Sequence, residues 1–270
     1  MLITNAQGVR CGDDDLRKFS SALLAKDREQ IFGLPGLYTQ GVSLMVLESS
    51  LWANPELLDF TSRYRRSIFY GTGSDLENIC SLFPGAAYKL HSDLTLIEGR
   101  ESTVIPLCQR IRREYEIPHG LTLKTLRPDD PDDLFSDLQF LQVGGGLESL
   151  ATWFLRDHRL SRTIYLETDD GEIAGVSSIA NLSSAGGNWQ DTAIVQRTTV
   201  APGFQRLGLG TYLKTEIILK GAAAFGATRF IGTVHASNIA SYRMNAACGL
   251  ILVDTRAFVG LEDIRPLVGP

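Results

Sequence analysis

The chain has 270 residues, enough for one large domain or two smaller ones, and its 44% hydrophobic and 21% charged residues are those of a globular protein with a core of its own. A net charge of −5 without a basic stripe points away from nucleic acid as a partner and, more weakly, from anionic membranes. Residues 1–15 lack the basic and apolar regions of a signal peptide. Lys220 and Arg229 interrupt the best apolar run well short of the roughly 20 residues that span a bilayer, so a cytoplasmic protein is expected. Cys11, Cys80, Cys108 and Cys248 are scattered, as are His91, His119, His158 and His235. Neither set has metal-ligand spacing, and no metal site is expected.

In chain order, Asp13-Asp14-Asp15 reads as a helix start, with Leu16, Phe19, Leu23 and Leu24 at helical spacing behind it. A loop from Gly33 to Gly41 leads to a strand over Val42–Leu47, and Asn54-Pro55 opens a helix to Tyr64. Ser67–Tyr70 is a second strand. Gly71-Thr72-Gly73-Ser74 follows it, with Ser74 capping a helix to Phe83. Ala87–Ile97 is a third strand, and a helix over Ser102–Tyr115 closes this half. Ile117-Pro118-His119-Gly120 is the expected boundary between residues 1–118 and 119–270. The strand, Gly-x-Gly turn, helix, strand order of the first half echoes the second. It reads either as a degenerate copy or as a packing or substrate-covering domain.

The second half opens with a strand over Leu121–Leu126. A helix from Pro131 to Gln142, Gly144-Gly145-Gly146 and a second helix to Asp157 come next. Thr163–Thr168 and Ile173–Ala180 form a hairpin across Asp169-Asp170-Gly171-Glu172. A flexible loop from Ser183 to Gly187 leads to a strand over Asp191–Val200, ended by Pro202. After the turn Gln205-Arg206-Leu207-Gly208-Leu209-Gly210, a helix carries Leu209, Leu213, Ile217 and Ala224 on its apolar face. Arg229–Val234 is a strand, Asn238–Cys248 a helix and Ile251–Val259 the last strand. Periodicity alone gives a mixed α/β class.

Strand, glycine turn and helix can hold a pyrophosphate. Glycines admit close approach, several N–H groups converge, and the helix N-terminus carries roughly +0.5 charge. Arg206 adds a fixed positive charge. The turn lacks the Gly-x-Gly-x-x-Gly with a later acid of a dinucleotide site and the Gly-Lys-Ser/Thr of a P-loop. What it matches is Gln/Arg-x-x-Gly-x-Gly/Ala after a Val-x-Pro strand end, and in that form it resembles motif A of the GNAT acyltransferase superfamily. Asn238-Ile-Ala-Ser241-Tyr-Arg-Met-Asn245-Ala-Ala-Cys248-Gly249-Leu250 resembles the family's motif B. The element order over Leu121–Val259 is likewise that of a GNAT domain. The resemblance implies a mixed, mostly antiparallel α/β (α+β) sheet with a splayed parallel strand pair.

It also implies a site. Thr198, Thr199 and Val200 are expected to line the pantetheine arm of acyl-CoA in the splay, although β-branched strand formers explain the threonines equally well. The N–H groups of Arg206, Leu207, Gly208, Leu209, Gly210 and Thr211 are expected to hold the pyrophosphate, with Gln205 and Gly208 matching motif positions directly. Asn238 is expected to cap its helix and to bond the cofactor. Where many members carry a tyrosine acid, this chain has Asn245, which can hydrogen-bond a thioester sulfur or orient a carbonyl. Tyr242, three residues earlier, is the candidate stand-in. His235 is the candidate base, with Asp191 as the other. Trp153, Phe154 and Trp189 border the expected acceptor pocket, where an apolar or ring-bearing substrate would suit them and core packing is the alternative. Cys248 lacks an adjacent base and makes a poor nucleophile.

The function implied is an N-acyltransferase moving an acetyl or other short acyl group from acyl-CoA to a small-molecule amine within a ternary complex. One alternative is the same fold acting on an acyl-carrier-protein thioester as transferase or decarboxylase, through Thr198 or Thr199 with His235. The other is a non-catalytic CoA-binding regulatory protein.

Overall fold

The computed structural model describes residues 2–3, 23–31, 34, 36–39, 44–47, 63–64, 66–71, 78, 81, 87–91, 94–143, 152–182, 189–254 and 257–262. The expected helix start at Asp13, most of the Asn54 and Ser74 helices, the turn at Thr72-Gly73-Ser74, Gly144-Gly145-Gly146 and the Ser183–Gly187 loop lie outside the described residues. The chain divides into two compact units. The first holds Met1–Thr95, Ser184–Trp189 and Asp254–Pro270, and the second Leu96–Ser183 and Gln190–Val253.

The first unit carries β1 (Leu2–Ile3), a helix α1 over 23–31, β2 (Leu37–Thr39), β3 (Leu44–Val46), β4 (Arg66–Gly71) and β5 (Ala87–His91). The last strand of the chain, β13 (Ala257–Glu262), belongs to it as well. The sheet order is β1-β5-β13-β4-β3-β2. Every pairing in it is antiparallel except β3 with β4, which run parallel over Leu44–Val46 and Ser67–Phe69. Leu24, Ile31, Leu37, Tyr38, Leu44, Val46, Tyr64 and Phe69 are fully buried.

The second unit begins with β6 (Leu94–Arg100) and α2 (Glu101–Glu114). It continues with β7 (Leu121–Thr125), α3 (Asp132–Val143), α4 (Thr152–Arg156), β8 (Ser161–Thr168), β9 (Ile173–Asn181) and β10 (Thr192–Val200). A 3₁₀ turn (Pro202–Phe204) precedes α5 (Leu209–Phe225), and β11 (Arg229–His235), α6 (Ile239–Ala247) and β12 (Ile251–Asp254) complete the unit. The sheet order is β12-β6-β11-β10-β9-β8-β7, with β7, β8, β9 and β10 antiparallel in turn and β10 parallel to β11. This is the sheet the motifs imply.

Two expectations change. Ala87–Ile97 and Ile251–Val259 each read as one strand, but each is two. The chain leaves one sheet after β5 and enters the other as β6, and it does the reverse between β12 and β13. β6 lies between β11 and β12, while β13 takes the matching place between β4 and β5. Residues 96–118, expected in the first domain, therefore fall in the second unit. There Val104 and Cys108 of α2 join the core formed with α5, and Arg112 pairs with Glu216 at 3.1 Å. Arg229 likewise binds Glu98 of β6 at 2.7 Å.

α5 is buried along Leu209, Leu213, Ile217 and Gly221, while Ala224 is exposed. Gly221 takes the place expected of Ala224 because a Cβ there would come within 2.4 Å of Ile179, so only glycine lets the helix lie this close to β9. Gly175 plays the same role beneath Leu213.

Candidate active site and acyl-CoA cradle

β10 pairs with β11 only from Thr192 to Ile194, opposite Arg229 to Ile231. Beyond that point the two parallel strands diverge, and the backbone of β10 toward Val200 is left without a partner on that side. The cause lies on the other edge. β10 stays bonded to β9 but slips by one residue, so that Val195 opposes Ile179 and Thr198 opposes Ser177. Gln196 and Arg197 together face Ser178, a β-bulge that bends the strand away from β11. Lys214 of α5 donates from Nζ to the Gln196 carbonyl at 3.2 Å, tying down the bulged backbone. The Thr198 hydroxyl is engaged with Ser177 Oγ at 2.7 Å.

At the strand end Gln205 donates from Nε2 to the Val200 carbonyl at 3.2 Å, so its side chain braces the loop instead of reaching into it. Arg206 then adopts a left-handed φ of 67° and Gly208 one of 80°. Among the described residues, none of the six N–H groups from Arg206 to Thr211 donates to a protein acceptor, and the first bond of α5 is from the Tyr212 amide to the Gly208 carbonyl at 3.1 Å. Six open amides at a helix N-terminus, gathered by alternating left-handed residues, make an anion nest, and the exposed Arg206 adds charge beside it. The cradle fits a pyrophosphate.

One residue that shapes this loop gave no signal in the sequence. Tyr115, just past α2, donates its hydroxyl to the Leu207 carbonyl at 2.7 Å. Its ring stacks on Tyr212 at 4.9 Å and closes the space over Gly208, where a Cβ would lie 2.9 Å from it. Gly208 is thus required twice, by its backbone angle and by its neighbour. Gly210 has a separate reason, since a Cβ there would meet Met244 Sδ of α6 at 3.2 Å.

α6 starts as expected, with Asn238 Oδ1 accepting from the Ser241 amide at 3.0 Å. Asn245 is 2% exposed. Its Nδ2 donates to the Ser241 carbonyl at 2.8 Å and lies 3.2 Å from Ser241 Oγ, while its Oδ1 is buried without a partner. With both amide hydrogens directed at Ser241, the side chain offers an acceptor only and has no proton to give a carbonyl or a sulfur. Tyr242 lies on the exposed side of α6, whereas Asn245 is buried.

His235 ends β11 and is half-buried. By strand alternation it shares a face with Ile231, opposite the face on which Phe230 and Val234 join the α5 core. Ile231 pairs with Ile194, so that face is also the one presented by the bulge. Asp191 stands at the far end of β10, exposed, its carbonyl accepting from Thr228 and Arg229. Phe154 is fully buried and meets the half-buried Trp153 edge-on at 5.9 Å. Trp189 is buried and falls in the first compact unit. Cys108 and Cys248 are fully buried and hydrogen-bonded to one another. That contact, with burial, holds the Cys108 thiol far above its ordinary range, while the same contact lowers that of Cys248; full burial is what keeps both from a substrate. No group of His, Cys, Asp and Glu that could hold a metal occurs among the described residues, and none of their helices is long and apolar enough to cross a membrane.

With a splayed parallel pair, a bulge and an amide nest in one sheet, the second half has the anatomy of an acyl-CoA transferase. Residues 125–250 match the model of the Acetyltransferase (GNAT) family, and that stretch is a GNAT acetyltransferase domain. The GNAT fold is one that binds acetyl- or acyl-CoA. The fold is also similar to that of a tandem GNAT protein from the clavulanic acid biosynthesis pathway, with a TM-score of 0.58 and 14% identity over 96% of this chain and 98% of that one. A Drosophila protein aligns with a TM-score of 0.56 and 12% identity over 92% of this chain and 88% of that one. A GCN5-related N-acetyltransferase from Kribbella flavida gives 0.54 and 12% over 90% and 95%. At such identities the likeness is one of fold. A search of the curated proteins finds no match for the chain.

Proposed function

We propose that the protein transfers a short acyl group, acetyl in the simplest case, from acyl-CoA to the amine of a small molecule by direct attack in a ternary complex. The observation that carries this reading is the pairing of the open amide nest at Arg206–Thr211 with the diverging strands β10 and β11. The nest takes the pyrophosphate, and the unpaired β10 edge at Thr198–Val200 takes the pantetheine arm as an added strand, which brings the thioester to the bulge. Asn238 and Arg206 flank the cofactor. The amine nitrogen attacks the thioester carbonyl carbon, the carbon–sulfur bond breaks, and the amine proton passes to His235 directly or through water. The N–H groups of the unpaired β10 backbone polarise the carbonyl, a task Asn245 cannot share. A thiol pKa of about 8.5 makes thiolate a tolerable leaving group, so departure does not demand the tyrosine acid that Asn245 replaces, and Tyr242 is left with a secondary role at most. The acyl-carrier-protein and decarboxylase reading pairs His235 with Thr198 or Thr199; the Thr198 hydroxyl is bonded to Ser177, which leaves Thr199 as the threonine that reading would use.

The test uses acetyl-CoA binding by calorimetry and thiol release with a panel of amines. In Gly208→Trp, with the fold checked by circular dichroism, binding and transfer are both expected to vanish. In His235→Ala, binding is expected to persist while transfer falls about a hundredfold or more. Undiminished binding in the first variant would remove the basis of the assignment. Binding without transfer to any amine in the native protein would instead indicate a CoA-binding regulatory protein.

A further inference from the structure

The bulge on β10 does more than hold two strands apart. One extra residue between Val195 and Thr198 places Gln196 and Arg197 together opposite Ser178. Val195 and Ile179 belong to the core under α5, and Ser177 and Thr198 share that side through their hydroxyls. Gln196 and Arg197 therefore point to the other face, the one His235 shares, at the place where β10 leaves β11.

Among the described residues neither side chain finds a partner there. Both polar atoms of the Gln196 amide are buried and have no hydrogen-bond partner. Arg197 is half-buried and, among the described residues, makes no ion pair or hydrogen bond, while burial lowers its affinity for the proton with no acid acting to restore it. Several other cations of this unit are matched by acids: Arg112 by Glu216, Arg229 by Glu98, Lys124 by Glu167, Arg156 by Asp132 and Arg159 by Asp157. A guanidinium and a primary amide, withdrawn from water side by side without an acceptor, present the donors a carboxylate takes in bidentate fashion.

We propose that Gln196 and Arg197 form a carboxylate-binding site at the point of acyl transfer, so that one of the two reactants carries a carboxylate. The inference rests on reading the splay as the acyl-transfer site. The carboxylate belongs either to the amine acceptor, as in an amino acid, or to the acyl group, as in a dicarboxylic acyl thioester.

Two matched comparisons separate the sources. Glycine and phenylalanine are set against glycinamide and 2-phenylethylamine with acetyl-CoA, and succinyl-CoA is set against butyryl-CoA at a fixed amine. One comparison is expected to favour the carboxylate by about tenfold or more in KM. Arg197→Met should erase that preference and Arg197→Lys restore some of it, with acetyl-CoA affinity unchanged in both. Indifference in both comparisons, or a preference that survives Arg197→Met, overturns the proposal. Should no amine be turned over, the proposed function fails and the site is read by calorimetry alone, with N-acetylglycine against N-acetylglycinamide and succinyl-CoA against butyryl-CoA. Carboxylate-selective binding lost in Arg197→Met then sustains the site, and equal or absent binding overturns it. Arg197→Gln and thermal unfolding of each variant guard against a folding defect.

Discussion

Lys214 is 3% exposed, and its ammonium reaches the Gln196 carbonyl at the bulge. Burial lowers its pKa to about 8, with the nearby Cys248 opposing the shift. An unfolded lysine titrates near 10.4, so the difference represents about 3 kcal/mol of destabilisation at neutral pH. Below about pH 8 both states hold the proton and the penalty is complete. Between about 8 and 10.4 the unfolded chain holds more protons than the folded one, so stability rises with pH, and above that range the penalty is gone. Lys214→Met removes the penalty and loses a hydrogen bond worth about 1–3 kcal/mol to a charged donor. The sharper expectation is therefore the pH dependence. Measured by urea unfolding, the wild type should gain on the variant between about pH 8 and 10, with a slope approaching 1.4 kcal/mol per unit. Equal slopes would mean that the lysine is not buried as a cation. The chain keeps this costly group where the strand must bend, so the variant is also expected to acylate more slowly.

At the scale of elements, the loop from Gln205 to Gly210 and the helix behind it were legible because their physics is local. Left-handed backbone calls for Gly208, a helix start supplies free amides, and an Asn-x-x-Ser pattern announces the cap of α6. The bulge was not legible. It arises from how β10 registers on β9, and a run of Ile-Val-Gln-Arg-Thr-Thr-Val reads equally well as a plain strand. Nor could the same spacing show that Asn245 is committed to Ser241, or that Tyr242 faces outward, three residues along one helix. Tyr115 escaped notice for a similar reason, lying 92 residues from the carbonyl it holds. Its removal makes a clean test of loop support. Tyr115→Ala should raise the KM for acetyl-CoA about tenfold with kcat within a factor of about two. Tyr115→Phe keeps the ring over Gly208, loses one hydrogen bond, and should cost only a few fold. A lower melting temperature with an unchanged KM would show that Tyr115 serves stability alone.

For the whole molecule, the two sheets share one plan. In each, a parallel pair is followed outward by a strand from the far side of the chain crossing: β13 beside β4 in the first, β6 beside β11 in the second. The two sheets thus share a strand arrangement, but the boundary suggested by Pro118 and Gly120 follows chain punctuation instead of packing. Composition offers no mark at residues 92–93 or 255–256, where the chain changes sheets, because both flanks alternate as strands do. A fragment of residues 119–270 would lose β6 from between β12 and β11, the salt bridge from Glu98 to Arg229, and the Val104 and Cys108 side chains that α2 contributes to the core. It would also carry β13 without the sheet that β13 completes. Removing an interior strand exposes unpaired amides and carbonyls along two neighbouring strands, a loss large against the usual margin of about 5–15 kcal/mol of a domain. The expectation is that this fragment aggregates or unfolds without a cooperative transition, whereas residues 94–254 retain every strand of the second sheet and melt cooperatively by calorimetry. A fragment 119–270 that melted cooperatively and bound acetyl-CoA as the full chain does would show that β6 is dispensable and restore the boundary at 118.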